Sequence, residues 1–401
     1  MKTIYDSFLS SNCKNIPSSF LREILELATQ PGMISFAGGL PNPDLFPVEP
    51  IKQALQKVLT EDGQNILQYS GSQGYLPLRE WLCQRYNRKY GLKTSPEMML
   101  ITSGSQQALD LSSKTLINPG SPIILEKPSY LGAIQAFSAY SPQFIQVKLD
   151  NDGIDTDDLE YVFKTIRPKV LYAIPNFQNP SGISYSLEKR MQVAELLNKY
   201  DAILIEDDPY NEIRFEGDDL PPIYFFNPER VIWCGSFSKM LSPGIRTGWI
   251  CCSRELMPYL LRAKQATDLH TNNMVQRMIF SYLTDHEVDQ HLQSIQQVYK
   301  MQKDLMREML LSCFPANTEL TNPEGGMFIW ATLQGEINTS ELVNEAINSK
   351  VVFVPGKAFY IQNEGTNSMR LNFSNSNPDI IKQGISRLGK LVSTHYEILK
   401  I

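Results

Sequence analysis

The chain has 401 residues, 42% hydrophobic and 20% charged, with a formal net charge of −6 and an isoelectric point near 5.4. That length exceeds what one hydrophobic core usually serves, so two or three lobes are expected. An acidic chain without long single-sign runs argues against a nucleic-acid partner, and the ordinary composition excludes a disordered or fibrous protein.

The N-terminal "MKTIYDSFLSSNCKNIP" lacks the apolar core of a signal peptide, and no stretch approaches the about 20 apolar residues of a membrane span. A cytoplasmic protein without a membrane partner is expected. Leu21, Ile24, Leu25 and Ala28 fall at helical spacing, before the turn-rich "AGGLPNPDLFP". Further on, Leu78, Leu82 and Tyr86 predict an apolar helix face, with Arg85, Arg88, Lys89 and Lys93 as its solvated side.

From about Met98 to Cys252, the apolar runs "MMLIT", "PIIL", "FIQV", "VLYAI", "AILIE", "VIWC" and "WICC" alternate with helix-length segments such as Gln106–Ile117 and Leu187–Tyr200. This is the pattern of an α/β fold with a mainly parallel, seven-stranded sheet covered by helices. Past about Arg254 a long helical stretch leads to strands at "GMFIWAT", "VVFV" and "MRLNF" and a closing helix after Pro378. The expected division is a large domain over 48–290 and a smaller α/β lobe over 291–401, completed by the segment 1–47. The six cysteines lack C-x-x-C spacing and do not pair with the four histidines as metal ligands would, so no metal site is expected. Reduced thiols, buried as small hydrophobes, are the expectation.

Ligands of open α/β sheets bind beyond the carboxyl ends of the strands. Four such ends carry small and ionisable residues: "SGSQQA" from Ser103, "PNFQNPSG" from Pro175, "DDPY" from Asp207 and "GSFSK" from Gly235. In the first, the amides of Ser105 and Gln106 would open a helix, a favourable place for a phosphate, which Arg246 could grip with two hydrogen bonds. Lys239 stands among small and apolar neighbours, where a lysine loses its proton easily and becomes a nucleophile for carbonyl carbons. A phosphate cradle, a nucleophilic amine and a strand-end carboxylate, Asp207 or Asp208, together fit pyridoxal phosphate.

The motifs "ISFAGGLPNPDLFP", "LQYSGSQGYLPLRE", "TSGSQQALDL", "PNFQNPSG", "IEDDPY", "GSFSKMLSPGIRTGW", "GGMFIW" and "MRLNFS" stand in this order between Ile34 and Ser374, carrying a likeness that runs from about Ser19 to the C-terminus. In them the chain resembles the fold type I pyridoxal phosphate aminotransferases, in the branch of the 2-aminoadipate and kynurenine enzymes. The resemblance implies that Lys239 bonds to the coenzyme aldehyde and that Asp207, by its spacing to Tyr210, partners the pyridine nitrogen. It further implies that Tyr210 and Asn179 hold the phenolic oxygen and that Tyr130 stacks on the ring. Ser105, Gln106, Ser236, Ser238 and Arg246 match phosphate contacts. Tyr69 matches a tyrosine reaching the phosphate of a neighbouring subunit, which implies a homodimer with shared active sites. Arg370 resembles the clamp for the substrate α-carboxylate.

For the substrate, Gly39 matches a glycine turn against the substrate, and Asn179 also faces it. Arg22 matches an arginine that meets a distal carboxylate, although Glu26 four residues on offers it an ordinary helix-surface pair. The implied reaction is ping-pong transfer of an amino group from a 2-aminoadipate-like, aromatic or branched or aliphatic amino acid to a 2-oxo acid, with 2-oxoglutarate expected. Two alternatives are a lyase or decarboxylase of the same fold and a coenzyme-binding regulatory module. About 35 residues before "SFAGG" are too few for the DNA-binding segment such a module carries.

Overall fold

The computed structural model describes residues 4–5, 7–17, 30–335, 337–362 and 364–399. A two-residue strand, β1 (Ile34–Ser35), precedes the strands of the large sheet. These are β2 (Met99–Thr102), β3 (Pro122–Lys127), β4 (Gln143–Asp150), β5 (Gly153–Ile154), β6 (Val170–Ala173), β7 (Ile203–Asp207), β8 (Val231–Ser236) and β9 (Gly248–Cys251). Their order across the sheet is β2-β9-β8-β7-β6-β3-β4-β5. Strands β8, β7, β6, β3 and β4 run parallel, while β9 opposes both of its neighbours. All seven expected strands are present. The eighth, β5, folds back on β4 at the edge and is too short for any periodicity to announce it.

Both faces of the sheet are apolar. Leu100, Ile123, Tyr172, Ile205 and Ile250 point into one core, and Ile101, Ile124, Leu171, Leu204 and Trp249 into the other. This alternation is the period of two read on both sides, as burial beneath two helical layers requires. Helices Ser105–Leu116 and Leu131–Ser138 cover the first face; Leu76–Tyr90, Leu187–Lys199 and Asn273–Asp285 cover the second. Because β2 and β8 both oppose β9, the carboxyl ends of β2, β6, β7 and β8 open at one edge.

The long helix Val288–Cys313 leads to the remaining strands, β10 (Glu319–Leu320), β11 (Phe328–Thr332), β12 (Val351–Val352), β13 (Val354–Pro355) and β14 (Ser368–Asn372). They form an antiparallel sheet in the order β10-β11-β14-β13, while β12 pairs in parallel with β1. The expected C-terminal strands and the closing helix Pro378–Leu399 are therefore present. Among the described residues no helix is long and apolar enough to cross a membrane.

Two expectations are corrected. Arg85 and Lys89 do not belong to a solvated face. Arg85 makes a two-point contact with Glu212 at 2.7 and 2.9 Å, and Lys89 reaches Glu212 at 3.4 Å and Asp219 at 3.2 Å. Glu212 is buried and needs cations there, and a partner 127 residues away in sequence leaves no local trace. Of the cysteines, 83, 234, 251 and 252 are buried as expected, but Cys13 is exposed and Cys313 half-buried.

Candidate active site

The helix Ser105–Leu116 begins at Gly104, whose φ of +86° suits glycine and whose missing side chain provides no cap. The amides of Ser105 and Gln106 therefore have no helical acceptor and lie at the positive end of the helix dipole. A Cβ on Gly104 would stand 2.7 Å from Arg246 Nη2, so the guanidinium lies over the helix start. Arg246 itself holds the left-handed conformation, φ +50°, just after the turn Pro243–Ile245. Beside it, Ser236 Oγ accepts from the Ser238 amide at 3.1 Å. The Gln106 side chain is engaged, donating to Gly132 O at 2.7 Å. The cradle is braced from beneath, where Gln107 Oε1 accepts from the Ser103 amide at 2.7 Å and from buried Lys264 at 2.6 Å.

Asp207 ends β7 and Asp208 follows it, and the alternation of the extended backbone separates their surroundings. Asp208 accepts from Asn176 Nδ2 at 2.8 Å and Trp233 Nε1 at 3.1 Å, so both its oxygens are engaged. Asp207 turns to the opposite face, where Oδ2 accepts from the Tyr172 hydroxyl at 2.9 Å. Its Oδ1 is buried without a hydrogen-bond partner. Burial pushes the Asp207 carboxyl up to about 7, opposed by the Tyr172 hydrogen bond and aided by the charge of Asp208.

Lys239 follows β8 and donates to Gly39 O at 2.9 Å. Burial first, then the positive charges of Arg370 and Arg246, lower its ammonium to about 8. Arg370 is 2% exposed on β14. Its Nη1 donates to Asn179 Oδ1 at 2.8 Å and its Nη2 to Ala37 O at 2.6 Å, while Nε has no partner. The rings of Phe328 and Phe359 flank it at 4.3 and 5.0 Å. Desolvation lowers this guanidinium to about 10, so it stays charged near neutrality. A buried charge held by neutral groups alone is a site for an anion.

Tyr210 is buried and edge-on to Phe328 at 6.3 Å. Burial pushes its hydroxyl up, against a smaller downward pull from the Asn179 hydrogen bond. Tyr130 occupies the N-cap position of the helix Leu131–Ser138, its side chain making no capping bond. Burial raises its hydroxyl, with a smaller rise from Asp207 and smaller downward pulls from Arg370 and Arg246. A Cβ on Gly39 would approach Phe328 to 3.2 Å, so only glycine leaves that wall its present shape. Tyr69, by contrast, is 79% exposed with its ring edge-on against His270 at 5.8 Å. Arg22 and Glu26 lie outside the described residues.

The sequence reading missed Tyr172, the aromatic walls Phe328 and Phe359, and the Ala37 carbonyl. Only Tyr172 left a signal, a hydroxyl set in the otherwise apolar strand "VLYAI". The walls come from segments far apart in the chain.

Pyridoxal phosphate asks three chemistries of one crevice: donors for a phosphate, an amine for an aldehyde, and a carboxylate for a ring nitrogen. The free Asp207 oxygen, the amine of Lys239 and the helix start under Arg246 meet those demands on the edge of a mainly parallel sheet, the arrangement of a fold type I pyridoxal phosphate enzyme. The model of the family "Aminotransferase class I and II" matches residues 33–388, and the chain belongs to that family, with pyridoxal phosphate as its cofactor. An aromatic-amino-acid aminotransferase 1 from Thermococcus litoralis is 39% identical over 394 residues, covering 97% of this chain and 94% of that relative. The structure of a kynurenine aminotransferase from Pyrococcus horikoshii, in complex with PMP, superposes with a TM-score of 0.94 at 39% identity over 98% of both chains. An α-aminoadipate aminotransferase from Thermus thermophilus, complexed with N-(5'-phosphopyridoxyl)-L-leucine, gives a TM-score of 0.91 at 36% identity, covering 99% of this chain and 100% of that one.

Proposed function

We propose that this aminotransferase takes the amino group of an aromatic, 2-aminoadipate-like or aliphatic amino acid and passes it to 2-oxoglutarate, in two half-reactions at one site. The observation that carries the reading is Arg370, a buried guanidinium without a carboxylate partner among the described residues, in the crevice that holds Lys239. It suits the α-carboxylate shared by every amino acid and oxo acid. When bound, pyridoxal phosphate supplies an aldehyde and an electron-withdrawing ring.

The chain's own groups do the rest. Ser105, Gln106, Ser236, Ser238 and Arg246 would hold the phosphate, Asp207 the ring nitrogen, and Tyr210 and Asn179 the phenolic oxygen, with Tyr130 available to pack against the ring. Lys239 would hold the aldehyde, and its amine, when free, is placed to take a proton from the substrate Cα and give it back. Its lowered proton affinity supports that double role. Gly39 leaves room beside the substrate, and Arg22 is the candidate for a distal carboxylate.

Relatives named for aromatic amino acids, kynurenine and α-aminoadipate support a broad donor range. The exposed Tyr69 supports a homodimer in which that ring serves the neighbouring phosphate. The pairing of β1 with β12 supports a division into a small lobe of 1–47 with 291–401 and a large domain of 48–290. Six free cysteines support a reducing, cytoplasmic setting.

A screen of amino donors against 2-oxoglutarate tests the reading. Glutamate should form with aromatic and aminoadipate donors, and Arg22→Ala should slow acidic donors far more than leucine. Ammonia or carbon dioxide released without an acceptor oxo acid would overturn it.

A further inference from the structure

We propose that Tyr172 is a positioning residue for the coenzyme: its hydroxyl occupies one oxygen of Asp207 and thereby aims the other at the pyridine nitrogen. The inference rests on the reading of Asp207 given above. Three observations carry it. The Tyr172 hydroxyl donates to Asp207 Oδ2 at 2.9 Å, while Oδ1 is buried with no partner. Tyr172 itself is 0% exposed, its ring fixed edge-on against Phe137 at 5.3 Å. Register explains the contact. Tyr172 on β6 lies opposite Ile205 on β7, so Asp207, two residues further along, is its diagonal neighbour on the same face, within reach of a long side chain.

Electrostatics gives the hydroxyl a second effect. A ring nitrogen keeps its proton best beside an anion, yet burial raises the proton affinity of Asp207, and the hydrogen bond from Tyr172 is what opposes that rise. Burial foremost, with the nearby carboxyls, pushes the Tyr172 hydroxyl far above its ordinary range. It therefore remains a donor at every working pH. Cys234, the residue opposite Asp207 on β8, offers no comparable donor, because a thiol donates weakly and its Sγ is directed to Ile232 O at 3.9 Å.

The test uses holoenzyme reconstituted with 15N-labelled pyridoxal phosphate. Tyr172→Phe keeps the ring that packs on Phe137 and removes only the hydroxyl. It should raise the coenzyme Kd about tenfold, as expected for the loss of a hydrogen bond to a charged group. It should also move the ring 15N resonance towards the unprotonated value. Tyr172 replaced site-specifically by 3-fluorotyrosine, a more acidic donor of nearly the same shape, should move the resonance the other way; this arm serves if the phenylalanine variant folds poorly. In an Asp207→Asn background the Tyr172→Phe change should have little further effect on Kd. Unchanged Kd and 15N resonance in Tyr172→Phe, with or without a lower melting temperature, would overturn the proposal. If Asp207→Asn alone leaves the coenzyme Kd untouched, the assignment of Asp207 fails, and this inference with it.

Discussion

The amine of Lys239 owes its reactivity to what surrounds it: a carbonyl acceptor at Gly39, two guanidinium groups nearby, and no ion-paired carboxylate among the described residues. In coenzyme-free protein it should react with an amine-selective reagent with a midpoint near pH 8, well below that of the exposed lysines. A midpoint above pH 10 would place Lys239 in ordinary solvent. The folded value, about 8, lies below the unfolded value, so the unfolded chain binds more protons between the two and coenzyme-free protein gains stability as pH rises through that window. Lys239→Met should lose that gain, visible in melts at pH 7.5 and 10. Arg370→Lys keeps a charge but loses the planar fork, and we expect kcat/KM for every donor to fall about 10- to 100-fold. A fall confined to acidic donors would assign Arg370 to a side-chain carboxylate instead.

Glycine sets how closely the elements of the site approach. At Gly104 a methyl group would be strained by the positive φ and would press on Arg246. Gly104→Ala should therefore weaken coenzyme binding about tenfold, measured by equilibrium dialysis, with a smaller loss in melting temperature. Gly235 differs, because a Cβ there would enter the Trp249 ring in a packed core. Gly235→Ala should lower stability by about 1–3 kcal/mol in urea titrations, with coenzyme affinity at high occupancy retained. The elements themselves were legible in the sequence, because strands buried on both faces write themselves as unbroken apolar runs and their polar ends stand out. The long-range pairings were not. Tyr172 and Asp207 are 35 residues apart, and Arg85 and Glu212 are 127 apart. Strand order joins the first pair and loop packing the second, and neither leaves a local pattern. The choice between Asp207 and Asp208 became physical only when the alternation of β7 sent one to Tyr172 and the other to Asn176 and Trp233.

At the scale of the whole molecule, one crevice gathers β14, the segment after β1, and the carboxyl ends of four strands of the large sheet. Arg370 bridges them by holding Asn179 and Ala37 at once. The exposure of Tyr69 carries the dimer reading. Sedimentation should give twice the chain mass, and Tyr69→Phe should weaken coenzyme binding while leaving that mass unchanged. A monomer with full activity would remove Tyr69 from the site. The central claim, that Lys239 is the amine bonded to the coenzyme in this crevice, is tested most directly by borohydride reduction of the holoenzyme followed by peptide mass spectrometry. The account predicts a single phosphopyridoxyl group on the peptide containing Lys239 and none in Lys239→Ala. A label on any other lysine, or undiminished labelling in the variant, would contradict it.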